Sequence, residues 1–207
     1  MVKIETAKLS EYTQQDYERF EEYVSEEKLE KINRFKFSDD RKRSLLAHYV
    51  VKKMISSVTG QNLKDIVIKT GEHGKPGVDG DEVYISISHS GEYVACAVAD
   101  RPCGIDIEEI RNTDIKVAER FFTSGEYEYI KNHTREEQAR CFCEIWTAKE
   151  AYAKLNGKGL GIGLDTFEIV RECDRYCIKL PDSGMSKYIL NVEKFAEKYI
   201  LSYCYQK

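Results

Sequence analysis

Gly104-Ile105-Asp106-Ile107-Glu108 is the segment best equipped for chemistry. In a strand, residues two apart point to the same face, so Ile105 and Ile107 turn inward while Asp106 and Glu108 share the other face. Their α-carbons then lie about 6.6 Å apart. Two carboxylates this close repel unless a proton or a cation sits between them. Oxygen-only ligands suit a hard ion, and magnesium commonly takes one or two carboxylates plus phosphate oxygens. The same alternation also describes an ordinary solvated strand face.

A second acid follows on a helix, Trp146-Thr147-Ala148-Lys149-Glu150-Ala151-Tyr152-Ala153-Lys154. Trp146, Glu150 and Lys154 fall at i, i+4 and i+8 and share one helix face. Such a row can be a surface pair over a packed ring, stabilising by only ~0.3–0.5 kcal/mol. It can equally supply a third metal ligand or a general base in Glu150, with Lys154 neutralising a phosphate. The glycines from Gly157 to Gly163 follow this helix rather than opening one, and they lack a Gly-Lys-Ser/Thr ending. They are therefore neither a dinucleotide fingerprint nor a phosphate-binding P-loop. They read as a flexible turn whose bare backbone a ligand can approach.

Seven basic residues, Lys28, Lys31, Arg34, Lys36, Arg41, Lys42 and Arg43, fall within sixteen positions of an otherwise acidic chain. A small, multiply phosphorylated ligand fits this local excess better than nucleic acid, which the rest of the chain would repel. Gly74-Lys75-Pro76 adds a cation on a constrained loop, and Ser86-Ile87-Ser88-His89-Ser90 ends a strand with hydroxyls and an imidazole. No Gly-x-Ser-x-Gly elbow is present, so phosphate binding by Ser88 and His89 asks for less than a hydrolase triad.

These groups need elements to place them. An N-terminal strand is followed by an amphipathic helix over 10–24, with Tyr17, Phe20, Tyr23 and Val24 at helical spacing. A charged stretch at 26–35 precedes a strong helix over 39–59 that Gly60 ends. A strand over 66–69, a loop over 71–80 and a hairpin of 84–88 with 93–99 come next, then a strand over 105–108. Helices follow from Ile115, near 124–132 and over 135–155, with strands at 166–171, 175–180 and 199–205. The pattern predicts an α+β fold of two similar halves in a pseudo-two-fold arrangement, each with an antiparallel sheet and packed helices. The halves are residues 1–102 and 103–207, the second carrying the metal carboxylates.

The chain has 207 residues, 42% of them hydrophobic and 33% charged, with a net charge of -4. A chain this long buries ~70% of its unfolded surface and needs no disulfide staples. Seven scattered cysteines lack paired zinc spacing and read as free thiols. A charged N-terminus and no long apolar run predict a cytoplasmic protein with no membrane partner. The acidic balance predicts no nucleic-acid partner.

Taken together, the two carboxylate motifs resemble the signature of 4'-phosphopantetheinyl transferases, in the order and spacing of the surfactin-synthetase-activating type. Gly74-Lys75-Pro76, Ile87-Ser88-His89-Ser90, Arg120-Phe121-Phe122 and the stretch from Glu27 to Leu46 match that type too. The resemblance runs from about Lys28 to Leu180 and implies a monomer with coenzyme A in a cleft between the halves. It implies Asp106, Glu108 and Glu150 as ligands of Mg2+, with Asp106, Glu150 and Lys154 catalytic. It places Lys28, Lys31, Arg43, Ser44, Lys75, Ser88 and His89 around the adenosine 3'-phosphate, and Lys149 and Lys154 beside the pyrophosphate. Pro76 and Trp146 join the coenzyme-binding set. The implied partner is an apo acyl, peptidyl or polyketide carrier protein, docking near Arg120-Phe121-Phe122 and Tyr127. Of that aromatic pair, Phe121 is expected in the core. A coenzyme A sensor without turnover and a magnesium-dependent nucleotide hydrolase are the rival classes. A sensor needs no Glu150 with Lys154, and a hydrolase needs no carrier.

Overall fold

The computed structural model describes residues 1–71, 74–79, 83–112, 114–157, 159–173, 175–181, 184, 185 and 187–207. Gly80 of the predicted loop and Lys158 of the glycine-rich turn lie outside the described residues. The chain opens on β1 (Val2–Lys8) and a 3-10 turn (Leu9–Glu11), then α1 (Gln14–Glu21), α2 (Glu26–Asn33) and the long α3 (Ser38–Thr59). Strands β2 (Ile68–Thr70), β3 (Pro76–Val78), β4 (Tyr84–Ser90) and β5 (Tyr93–Ala99) complete the first half. The second half runs β6 (Cys103–Glu109), α4 (Lys116–Phe121), α5 (Ser124–Lys131) and α6 (Arg135–Asn156). After two short 3-10 turns come β7 (Glu168–Glu172), β8 (Arg175–Leu180), β9 (Gly184–Met185), β10 (Tyr188–Phe195) and β11 (Tyr199–Gln206).

Two antiparallel three-stranded sheets organise the core, in the orders β1-β5-β4 and β10-β11-β6. In each half the first strand pairs with the last, and the last with the one before it, so the connectivity repeats. Strand β5 is apolar throughout because both its faces are covered. Val94, Cys96 and Val98 pack with α3 residues such as Leu46, Val50 and Val51. Ala95, Ala97 and Ala99 pack against Ile105, Ile107, Tyr199 and Leu201 of the other sheet. Alternation thus sends one strand into two cores, and small alanines meet the larger isoleucines.

Helix α6 lies on the opposite face of β6, and the contact is close. A Cβ on Gly104 would stand 1.9 Å from the Ala151 carbonyl oxygen and 2.6 Å from the Leu155 amide nitrogen. Ala148 and Ala151 are fully buried at this interface. Local chemistry fixes the helix ends. Capping boxes start α1 at Thr13 with Asp16, α5 at Thr123 with Glu126 and α6 at Thr134 with Glu137. Gly60 and Gly157 end α3 and α6 at φ of 77° and 74°, a conformation glycine adopts without cost.

The Thr13 cap also explains a departure from the helix expected over 10–24. The helix begins only at Gln14, and the residues before it form the 3-10 turn. The predicted 71–80 loop contains β3, which pairs with β2 as a small ribbon. Strands β9 and β10 had no sequence expectation; β10 pairs along its whole length with β11. All seven cysteines are free. Among the described residues no helix is long and apolar enough to cross a membrane.

Replacing Gly104 by alanine forces a methyl group into the backbone of α6. Gly104→Ala should cost about 3 kcal/mol, the upper range for overpacking a rigid contact. Urea denaturation measures it; an unchanged midpoint would mean that α6 can retreat from β6.

Candidate active site

The carboxylates of β6 face α6, as the strand alternation predicts, but they are covered rather than solvated. Asp106 is 4% exposed. Its Oδ1 accepts hydrogen bonds from Ser88 Oγ at 2.7 Å and from Lys154 Nζ at 2.7 Å. Its Oδ2 is buried with no hydrogen-bond partner, alone in this among the described side-chain atoms. An orphaned buried acceptor costs roughly 1–3 kcal/mol, more when charged. Glu108 accepts from Ser90 Oγ at 2.7 Å. Burial pushes the Glu108 carboxyl above its usual range and Asp106 adds to this, while the Ser90 bond opposes it. Burial also raises Glu150, and the charges of Asp106 and Glu108 raise it further against the pull of Lys154. Three acids therefore sit within one another's fields, with Lys154 as their resident cation. Among the described residues no three His, Cys, Asp or Glu groups stand close enough to hold a metal as placed. The unpartnered Asp106 oxygen and the two acids held above their usual range nevertheless fit a hard cation.

Strand β4 carries a serine on every second residue, and each hydroxyl crosses to β6. Ser86 Oγ accepts from the Ile105 amide at 3.0 Å, and Ser90 Oγ accepts from the Glu109 amide at 3.1 Å. The two sheets are thus joined here through side-chain hydroxyls. The intervening residues of β4, Ile87 and His89, face a cavity on the other side.

That cavity has a volume of about 930 Å³. Lys28, Lys31, Ser44, Pro76 and His89, all named above as coenzyme-binding candidates, are among its lining. Its described lining runs only from Glu22 to His89, so it belongs to the first half and not to a cleft between halves. The reason is β4, which separates the cavity from the carboxylates by the thickness of one strand. Burial lowers the His89 imidazole, and the nearby charges of Arg43 and Lys154 lower it further. His89 is therefore largely neutral at pH 7, and Lys154 lies close enough to be felt from both sides of the strand.

Other expected residues are placed differently. Lys149, expected beside the pyrophosphate, points into the core. It is fully buried, donates to the carbonyls of Leu164 and Phe167 at 2.6 and 2.8 Å, and pairs with Glu126 at 2.7 Å. Its third position after Trp146 turns it away from the Glu150 face and into the core. Trp146 stacks on Phe142, with ring centroids 5.8 Å apart, and is not among the cavity lining. Lys75 donates to the Leu155 carbonyl at 2.9 Å, capping the last turn of α6 from the first half. Arg43 is held by the Gly91 carbonyl and Asp40, and Ser88 is held by Asp106. The aromatic pair is reversed. Phe122 is 5% exposed and stacks on Phe142, whereas Phe121 is 43% exposed beneath the Arg120 guanidinium. Phe122, unlike Phe121, follows the last helical residue of α4 and folds back onto α6.

Sequence reasoning missed His48 and Lys52, which line the cavity with Ser44. The three fall at i, i+4 and i+8 on α3, so their spacing was available as a signal.

A profile described as 4'-phosphopantetheinyl transferase superfamily matches residues 102–204. A second, 4'-phosphopantetheinyl transferase, N-terminal, matches residues 11–101. The chain belongs to the 4'-phosphopantetheinyl transferase family. It is 37% identical over 183 residues to the 4'-phosphopantetheinyl transferase Sfp of Bacillus subtilis (strain 168), covering 87% of this chain and 82% of that one. It is 40% identical over 146 residues to the 4'-phosphopantetheinyl transferase gsp of Aneurinibacillus migulanus, covering 70% and 61%. Among solved structures, a holo-(acyl-carrier-protein) synthase from Bacillus anthracis str. Ames in complex with CoA (3',5'-ADP) aligns with a TM-score of 0.43 and 20% identity. That alignment spans 51% of this chain and 94% of the other.

The Lys149–Glu126 pair lends itself to a stability test. Glu126 also accepts from the Ile169 amide at 2.6 Å and closes the α5 capping box, so the pair ties α5, α6 and β7 together. Lys149→Met alone leaves a buried, unmatched carboxylate and should cost about 3–5 kcal/mol in urea denaturation. A loss below about 1 kcal/mol would show that the network is not held by this charge pair.

Proposed function

We propose that the chain transfers the 4'-phosphopantetheine group of coenzyme A to a serine of an apo acyl, peptidyl or polyketide carrier protein, releasing 3',5'-adenosine bisphosphate. The observation that supports this most is Asp106, buried with one oxygen shared by Ser88 and Lys154 and the other unpartnered. Asp106, Glu108 and Glu150 would hold Mg2+, which when bound supplies charge neutralisation for phosphate oxygens.

The chain's own groups do the rest. Lys28, Lys31 and His89 bind the phosphorylated end of the coenzyme in the cavity of the first half. Glu150, held above the usual carboxylate range, accepts the proton of the carrier serine. The serine oxygen forms a bond to the phosphorus nearest the pantetheine, and the bond from that phosphorus to the bisphosphate oxygen breaks. Lys154, freed from Asp106, neutralises the departing bisphosphate. Most of the acceleration comes from positioning and charge. Phe121, exposed under Arg120, offers an apolar contact and a positive charge to an acidic carrier. In this reading the chain works as a cytoplasmic monomer, without a nucleic-acid or membrane partner.

Incubation with coenzyme A, Mg2+ and an apo carrier should raise the carrier's mass by one phosphopantetheine group, as read by mass spectrometry. Glu150→Gln should cut turnover by about 10²–10⁴-fold with the fold intact. Release of coenzyme fragments to water without any gain on the carrier would point instead to a hydrolase.

The acids also predict a pH dependence. A carboxyl whose folded pKa is raised holds its proton more tightly folded than unfolded. Its stabilising contribution is present below the unfolded value and is lost as pH rises through the folded one. In chelator, wild-type Tm should therefore fall relative to the Glu108→Gln/Glu150→Gln variant as pH climbs above about 4.5. Added Mg2+ should offset the fall in wild type and not in Asp106→Asn. A wild-type Tm indifferent to Mg2+ at every pH would remove these acids as its ligands.

A further inference from the structure

Ser90 ends β4 and is buried, and its hydroxyl makes two bonds. Oγ accepts from the Glu109 amide at 3.1 Å and donates to Glu108 Oε2 at 2.7 Å. A hydroxyl has one proton to give. With the amide on its lone pair, that proton is committed to the carboxylate. The backbone beneath it is fixed as well. Arg43 donates to the Gly91 carbonyl at 2.6 Å, the Glu92 amide donates to the Tyr199 hydroxyl at 3.2 Å, and a Cβ on Gly91 would strike that hydroxyl. Glu108 needs such an anchor, because the rotatable bonds of a glutamate side chain let its carboxylate wander. Ser86 shows what joining β4 to β6 requires by itself. Its Oγ accepts from the Ile105 amide at 3.0 Å, and the β6 residue before that amide is Gly104, which has no carboxylate. The seam therefore closes without an acid, and the bond from Ser90 to Glu108 does more than close it.

We propose that Ser90 is a positioning residue of this site, a hydroxyl that the Glu109 amide aims at Glu108 so that the carboxylate is set for the cation the acids take. The proposal rests on the transferase reading, because that reading makes Glu108 a ligand of Mg2+. A carboxylate is planar, so holding one of its oxygens fixes the direction of the other. Groups that hold a metal-binding side chain from behind govern metal affinity by about 10–100-fold.

Titration of the full chain with Mn2+, a paramagnetic stand-in for Mg2+, tests this. The loss of the free-ion electron paramagnetic resonance signal reads the affinity directly, with no turnover involved. Ser90→Ala should weaken Mn2+ binding about tenfold or more, and Ser90→Thr, which returns the hydroxyl, should restore it. In a Glu108→Ala background Ser90→Ala should have no further effect, because the carboxylate it acts through is gone. Ser86→Ala is the control for the seam: it should lower the melting temperature and leave Mn2+ affinity unchanged. Ser90→Ala binding as tightly as wild type, no rescue by threonine, a full further loss in the Glu108→Ala background, or an equal loss in Ser86→Ala overturns the proposal. So does a Ser90→Ala chain that does not fold, since the hydroxyl is then structural. In each of these cases the transferase reading stands if Glu108→Ala itself weakens Mn2+ binding and wild type modifies the carrier. Wild type that binds no Mn2+, or Glu108→Ala that binds as well as wild type, removes Glu108 as a ligand and the Ser90 proposal with it.

Discussion

The Asp106 carboxylate is held by groups from both halves of the chain, and its burial dictates much else. Ser88 reaches it from β4 and Lys154 from α6. For Lys154 to arrive, α6 must lie flat on β6, which demands the missing side chain at Gly104 and the small Ala148 and Ala151. For Ser88 to arrive, β4 must run alongside β6, although the two belong to different sheets. A buried carboxylate sharing one oxygen between a hydroxyl and an ammonium tolerates little displacement, because each bond lost leaves charge in a poorly solvating interior. The interface between the halves is therefore set by polar geometry as much as by the apolar contact of Ala97 with Ile105 and Ile107.

Strand β4 then serves two sites because a strand has two faces. Ser86, Ser88 and Ser90 point to β6, while Ile85, Ile87 and His89 point to α3 and the cavity. Hydroxyls suit the first task, since one oxygen can accept a backbone amide while donating to a carboxylate, as Ser90 does. A slip of one residue would send His89 among the carboxylates and the serines into the cavity. The full antiparallel register with β5, from Tyr84 opposite Ala99 to Ser90 opposite Tyr93, prevents it.

Much of this was legible in the residues. Period-two alternation placed Ile105 and Ile107 in the core and Asp106 with Glu108 on the other face. Helical spacing put Glu150 and Lys154 in one row. Gly60 and the long apolar stripe of α3 located its end and its buried side. The failures share a cause: they turn on which neighbour arrives, and a local pattern does not carry that. Lys149 looks like an exposed helical lysine until Glu126 from earlier in the chain and the Leu164 and Phe167 carbonyls from later in it close on it. Phe121 and Phe122 are equivalent until the end of α4 decides which ring meets Phe142. Lys75 and Arg43 carry the charge of phosphate ligands, yet backbone carbonyls claim both.

Among the described residues one buried side-chain atom is left without a hydrogen-bond partner, the Asp106 Oδ2. The Ser88 hydroxyl and the Lys154 ammonium both go to the other oxygen of the same carboxylate, so neither relieves it. Such an orphaned acceptor costs roughly 1–3 kcal/mol that the fold carries with no ligand present. A cation arriving at this oxygen, as the proposed reaction requires, meets an acceptor already stripped of water. The cost then appears as lost stability rather than as reorganisation during the reaction.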